Sequence, residues 1–212
     1  MTRRVVQLVV GLFLYGAGAA LTVEAGLGVD PWTVLAEGLS IHTGIGVGWM
    51  TNLLGFVVLL LWIPLREKPG PGTIANILLV GTSMQLVLWL VPPLPSSALI
   101  QGAVLLLGIV LVAIASGLYI TTRFGSGPRD GLMTGLNRRF GWPIWTCRAL
   151  VELSVLAIGW FLGGTVGIGT VAFAVLIGPF VNVALALFGS DRRAARRMRL
   201  ALANERAGSG SR

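Results

Sequence analysis

Six stretches of about twenty predominantly apolar residues divide this chain, at residues 5–25, 47–65, 73–91, 98–121, 143–162 and 170–188. At a helical rise of about 1.5 Å per residue, each is long enough to cross a hydrocarbon core about 30 Å thick. That core holds no water to satisfy free backbone N–H and C=O groups, so each stretch must close its own hydrogen bonds as an α-helix. The chain therefore reads as an all-α, polytopic membrane protein with six transmembrane helices. Composition excludes the alternatives. Of 212 residues, 55% are hydrophobic and 11% charged, with mean hydropathy +0.85, which leaves too little polar surface for a water-soluble domain and too much apolar surface for a disordered one. Arg3 and Arg4 before the first stretch, with Ala17 and Ala19 inside it, imitate a signal peptide. Cleavage there would remove a segment that has a full counterpart later in the chain, so it is kept as a span.

Lys and Arg number sixteen against eight Asp and Glu, a net charge of +8. In a soluble protein this would point to nucleic acid, but here the basic residues follow membrane topology. Arg3, Arg4, Arg66, Lys68, Arg123, Arg129, Arg138, Arg139 and the arginines from Arg192 onward all fall on one side, if each stretch crosses once. The linkers on the other side, residues 26–46, 92–97 and 163–169, carry no Lys or Arg. The positive-inside rule then places both termini in the cytoplasm. The expected partners are the bilayer and, for the Arg-rich tail 191–212, anionic lipid of the inner leaflet. That tail reads as a short basic helix followed by disorder after Ala207. No nucleic-acid partner is expected, and association into a homo-oligomer stays open.

Sliding the chain against itself gives a match at a constant offset of 97. It pairs Gly11 with Gly108, Gly28 with Gly125, Pro31 with Pro128, Gly38 with Gly135, Gly44 with Gly141, Gly70 with Gly167, Gly72 with Gly169, Thr73 with Thr170 and Gly81 with Gly178. Chance predicts about two glycine coincidences, fewer than the seven pairs named. Each unit contains three spans, an odd number, so the second must run opposite to the first. The expected organisation is two inverted three-helix repeats, 1–97 and 98–190. In other membrane proteins such halves enclose a solute site near the midplane.

Between the first two spans of each unit lies a short segment opened by Gly-x-x-Pro, at Gly28–Pro31 and Gly125–Pro128. Proline at a first helical position, with Asp30 or Gly127 as N-cap, predicts a helix start. Eleven or so residues cannot cross the membrane, so each segment must be an interfacial or a re-entrant helix. Arg129, Arg138 and Arg139 favour the interfacial or shallowly dipping form; Asp130 follows in the same motif. The third span of each unit opens with Gly70-Pro71-Gly72-Thr73 or Gly167-Ile168-Gly169-Thr170, a tight turn with a threonine able to cap the helix. No Lys follows as in a P-loop. Pro179, inside the sixth span, frees a backbone carbonyl and predicts a kink.

Arg148 and Glu152 lie inside the fifth span, four residues apart and so on one face. Charge at that depth reads either as a functional pair facing the bundle interior or as a structural brace. Their repeat equivalents, Thr51 and Gly55, are uncharged. Asn52, Asn76, Gln85 and Asn182 are further candidates for a solute or coupling site, or for polar glue between helices. Nothing points to an enzyme. His42 is the only histidine and Cys147 the only cysteine, so neither a serine–histidine arrangement nor a metal cluster can be assembled, and no cofactor motif is present.

The two Gly-x-x-Pro segments, the stretch Gly125-Ser126-Gly127-Pro128-Arg129-Asp130-Gly131-Leu132 and the run Leu162-Gly163-Gly164-Thr165-Val166-Gly167-Ile168-Gly169-Thr170 resemble the YczE/YyaS/YitT group of bacterial integral membrane proteins. The resemblance covers nearly all of residues 5–188. It implies a small multi-pass protein of the bacterial cytoplasmic membrane, brings no catalytic residues and no established activity. Fifteen arginines against one lysine fit a GC-rich bacterial source. Among functions, a small-solute permease or secondary transporter leads. The alternatives are a membrane accessory protein without transport activity and the substrate-binding subunit of an energy-coupled importer.

Overall fold

A computed structural model describes residues 1–92, 95 and 97–209, with side chains as far as residue 188. Among these residues there are eight helices and no strand: α1 (Thr2–Glu24), α2 (Pro31–Thr43), α3 (Val47–Leu65), α4 (Pro71–Leu90), α5 (Ala98–Ile120), α6 (Pro128–Phe140), α7 (Ile144–Phe161) and α8 (Ile168–Ser209). Six are long and apolar enough to cross a membrane, and α2 and α6 are the two short segments. The helix α8 continues without a break from the span into the arginine-rich tail. Gly208 and Ser209 are part of α8 rather than of the disordered end expected after Ala207, and that expectation for residues 210–212 lies outside the described residues.

The Gly and Pro positions that recur at offset 97 place the helix ends. Pro31 and Pro128 each open a short helix, after Asp30 and Gly127 respectively, and Gly44 and Gly141 close them in the left-handed region at φ 72° and 70°, where glycine alone is free of strain. The Gly-x-Gly-Thr turns are fastened in the same way. Thr73 Oγ1 accepts from the Gly70 N–H at 3.2 Å, and Thr170 Oγ1 from the Gly167 N–H at 3.3 Å. Each turn then docks on the Gly-x-x-Pro loop of the other half. Gly72 donates to Phe124 O at 2.9 Å, and Gly169 donates to Leu27 O at 2.7 Å. A side chain at Gly28 would lie 2.5 Å from Gly167 N, so glycine at this crossing is a steric requirement.

At the centre, α1 packs along α5, with α4 against α1 and α8 against α5. Small residues permit this close approach: a Cβ at Gly18 would meet Gly108 O at 2.9 Å, and one at Gly11 would meet Tyr119 N at 3.0 Å. Around this core, α2 packs on α7 and α3, and α6 on α3 and α7. Trp32, Val58, Trp62 and Leu132 join α2, α3 and α6 in one buried cluster. The Trp62 indole N–H donates to Pro128 O at 3.0 Å, fixing where α6 begins.

The short helices do not lie flat. Successive spans alternate in direction, so α2, after the first span, and α6, after the fourth, are anchored at opposite faces. Yet Arg129 Nη1 is 3.2 Å from Asp30 Oδ1, and its guanidinium sits 5.1 Å from the centre of the Trp32 ring. Two helices resting on opposite faces of a core about 30 Å thick could not make these contacts. Both therefore dip inward by their N-termini. The C-terminal end of α6 stays at the surface, where Arg138 is 68% exposed beside Glu67 and Arg139 bonds Pro64 O. Arg129 escapes that constraint because Asp30 neutralises it.

The halves differ in one contact. Where α3 meets α4, a Cβ at Gly81 would lie 2.2 Å from Gly48 O, and Gln85 accepts from the Gly48 N–H at 3.0 Å. The equivalent α7 and α8 pack at most marginally on each other. Gly178, equivalent to Gly81, has open space around it, and Trp145 stands where α3 has Gly48.

Candidate solute site

The dipping ends of α2 and α6 border a cavity of about 550 Å³, lined also by residues of α1, α3, α4, α5, α7 and α8. Its volume lies in the ordinary range for small-molecule sites, about 300–1,000 Å³. Asp30 is the most heavily used group on its wall. As N-cap of α2 its carboxylate accepts from the N–H groups of Trp32 at 3.2 Å and Thr33 at 3.4 Å, from the Thr33 hydroxyl, and from Arg129. A capped helix start normally points its partial positive charge outward from its N-terminus, and here both short helices point theirs toward the same cavity wall.

Asp130 follows Arg129 on α6 and lies beside the Tyr119 hydroxyl of α5. Around Gly127 three polar atoms converge: a Cβ there would be 3.5 Å from Asp130 Oδ2, 3.6 Å from the Tyr119 hydroxyl and 3.8 Å from Asn76 Nδ2. Opposite them, Arg148 Nε is 2.9 Å from Glu152 Oε1, with the two side chains 60% and 34% exposed. Both line the cavity, as do their repeat equivalents Thr51 and Gly55 on α3. The two halves thus contribute equivalent backbone positions to one space, and at these two positions only the second half is charged.

Of the candidates read from the sequence, Arg148, Glu152, Asn76 and Asn182 line this cavity together with Pro31, Pro128, Arg129 and Asp130. Asn52 and Gln85 are elsewhere and tie α3 to α4. Asn52 Nδ2 donates to Thr82 Oγ1 at 3.0 Å, and Gln85 bonds the backbone at Gly48. The remaining glycines and threonines, Gly28, Gly70, Gly72, Thr73, Gly125, Gly167, Gly169 and Thr170, build the loop crossings on either side. Asp30, Trp32, Tyr15 and Tyr119 also line the cavity and were not singled out as site residues. Asp30 had a signal, since it stands immediately before a repeat-matched proline. Tyr15 and Tyr119 had none, because an apolar span hides which of its faces turns inward.

Over residues 2–185 the chain matches the family described as a family of unknown function, DUF6198. An uncharacterised protein of Haemophilus influenzae is 39% identical over 175 residues, covering 82% of this chain and 80% of its own length. The uncharacterised membrane protein YczE of Bacillus subtilis is 30% identical over 179 residues, 82% of each chain. The uncharacterised protein YyaS of the same organism is 28% identical over 177 residues, 82% of this chain and 88% of its own length. No solved structure matches the chain.

Proposed function

The chain belongs to the DUF6198 family of unknown function, and we propose that it acts there as a small-solute permease or secondary transporter whose site is the cavity between its two three-span halves. The observation that supports this most is the meeting of α2 and α6 across the membrane at Asp30 and Arg129, beside a cavity that holds a second ion pair. Discontinuous helices that meet beside a polar cavity are a recurrent way to hold a solute at membrane depth, because their ends supply polar backbone groups where hydrocarbon would not. The N-terminal end of α6, which no side chain caps, and the Arg148 guanidinium bind the solute; Glu152 and Asp130 offer carboxylates able to take up a coupling proton or cation. The protein is then a carrier rather than an enzyme. It lies in the bacterial cytoplasmic membrane with both termini inside, its arginine-rich tail against anionic lipid.

The test is flux. Purified protein alone, reconstituted in liposomes and offered a mixture of small metabolites, is expected to accumulate at least one above protein-free vesicles. An accessory protein or an importer subunit would give no flux in that assay, and the importer subunit would copurify with an ATPase.

A further inference from the structure

Inverted repeats build the same helices twice in opposite directions, so a joint that differs between the halves displays two conformations of one element. Here that joint lies between the second and third spans of each unit. In the first half it is sealed, with α3 packed along α4. Gln85 accepts from the Gly48 N–H at 3.0 Å, Asn52 Nδ2 donates to Thr82 Oγ1 at 3.0 Å, and Met84 and Gln85 are 0% and 6% exposed. In the second half the equivalent face of α8 is open. Val181 and Asn182, at the positions of Met84 and Gln85, line the cavity together with Gly178, and Arg148 and Glu152 of α7 line it across the gap.

The two joints lie toward opposite faces of the membrane. Gly48 is the second residue of α3 and Gln85 stands in the last turns of α4, so the sealed joint is near the face that carries the loop from α2 to α3. Trp145 is the second residue of α7 and Asn182 comes late in the sixth span. The gap is therefore near the other face, where α1 begins and the sixth span ends. The cavity is shut toward the first of these faces and open toward the second.

Each joint carries a sign that it can change. Asn52 Oδ1 is buried in the sealed one without a hydrogen-bond partner, a cost that parting of α3 from α4 relieves. At the open one a side chain on Gly178 would meet nothing within 4 Å, so α7 has room to move onto α8. Asn182 is exposed to the cavity, and the first turn of α7 has backbone N–H groups without helical acceptors, the kind of donor that Gln85 satisfies on α3. A side chain at Gly48 would collide with Gly81 O. Trp145, at the equivalent place, thus closes on α8 with its ring rather than by bare backbone, and the glycine at residue 178 leaves that ring a seat.

We propose that these joints are the two gates of the cavity and open in turn. In the conformation described, the α3–α4 gate is shut and the α7–α8 gate is open. In the opposite one α7 closes on α8, with Trp145 over Gly178 and Asn182 on the first turn of α7, while α3 parts from α4 at Gly48 and Gln85. The proposal rests on the permease reading and adds the residues that expose its site to each face. Exchanging one seam for its repeat equivalent keeps both conformations within reach of each other in free energy.

The experiment bridges each gate in the full chain, carrying Cys147→Ala and reconstituted in vesicles. One chain has Asn52→Cys with Thr82→Cys across the α3–α4 joint. Another has Ala149→Cys with Gly178→Cys, the equivalents of Asn52 and Gly81, across the α7–α8 gap. Both pairs are expected to form a disulfide on oxidation with copper phenanthroline, the second by capturing α7 as it closes. Either bridge is expected to stop uptake of a metabolite mixture, and reduction to restore it. A third chain combines Gly178→Leu with an Asn76→Cys reporter on the cavity wall. Its thermal midpoint should stay that of the reporter chain alone, because the leucine enters open space, while labelling of the thiol by an impermeant maleimide should fall about tenfold or more from the α2–α3 face only. Failure of the α7–α8 pair to bridge where the α3–α4 pair does, or equal labelling of the leucine chain from both faces, would overturn the proposal. Uptake undiminished by both bridges removes the gates and leaves the permease, whereas two bridged gates in a chain without any flux leave the gates and remove the permease.

Discussion

Replacing Arg148 by methionine and Glu152 by leucine in one chain is expected to leave a folded protein whose solute uptake falls about tenfold or more, the scale of a lost charge-assisted contact to a bound solute. The two side chains bond each other at 2.9 Å and face the cavity. A paired charge withdrawn from water recovers little more than its desolvation cost, so exchanging both partners for apolar groups of similar volume is close to neutral for folding. Each single replacement is expected to lower the thermal midpoint in detergent further than the double one, because it leaves an unpaired charge at membrane depth. Uptake in liposomes beside thermal unfolding in detergent separates the two effects. A stable double variant with undiminished uptake would reduce the pair to a brace.

Asp30→Ala carries the larger expected loss of stability, about 3–5 kcal/mol, the range for removing one partner of a buried ion pair. The carboxylate is 6% exposed and serves four donors on two helices. Removing it frees the first turn of α2, worth about 1 kcal/mol as a cap, and leaves Arg129 without its counter-charge where α6 dips. Asp30→Asn keeps a capping oxygen and should recover only the cap's share of the loss. The comparison is read from thermal unfolding of the two variants. An Asp30→Ala protein as stable as the wild type would mean that the junction of α2 and α6 does not hold the halves together.

Much of this arrangement is legible in the sequence. Apolar length located the six spans, because a helix is the only local solution in hydrocarbon, and the observed ends differ from the expected ones by only a few residues at most positions. The prolines located the first residue of α2 and of α6, since Pro31 and Pro128 cannot donate inside a helix, while the ends at Gly44 and Gly141 were placed only to within a few residues. The tilt of those short helices was not legible. Arg129 by itself argues for the headgroup region, and its partner Asp30 is 99 residues away, a separation that local pattern cannot bridge. For the same reason Gln85 looked as eligible for the cavity as Asn182. Only the tertiary structure shows that Gln85 is used up at Gly48 while its repeat equivalent, Asn182, lines the cavity because α7 stands off from α8. Sequence symmetry identified equivalent positions, but α3 packs on α4 where α7 stands off from α8, so their surroundings differ.

The central claim, that the space between the halves is a solute path, is tested most directly by the access of a single thiol within it. In a chain with the buried Cys147 replaced by alanine and Asn76, on the cavity wall, replaced by cysteine, a membrane-impermeant thiol reagent is added to oriented vesicles from each side in turn. The expected result is modification from both faces, since a carrier must open its site to each. A thiol that reacts from one face only, or from neither, in a correctly folded protein would contradict the claim.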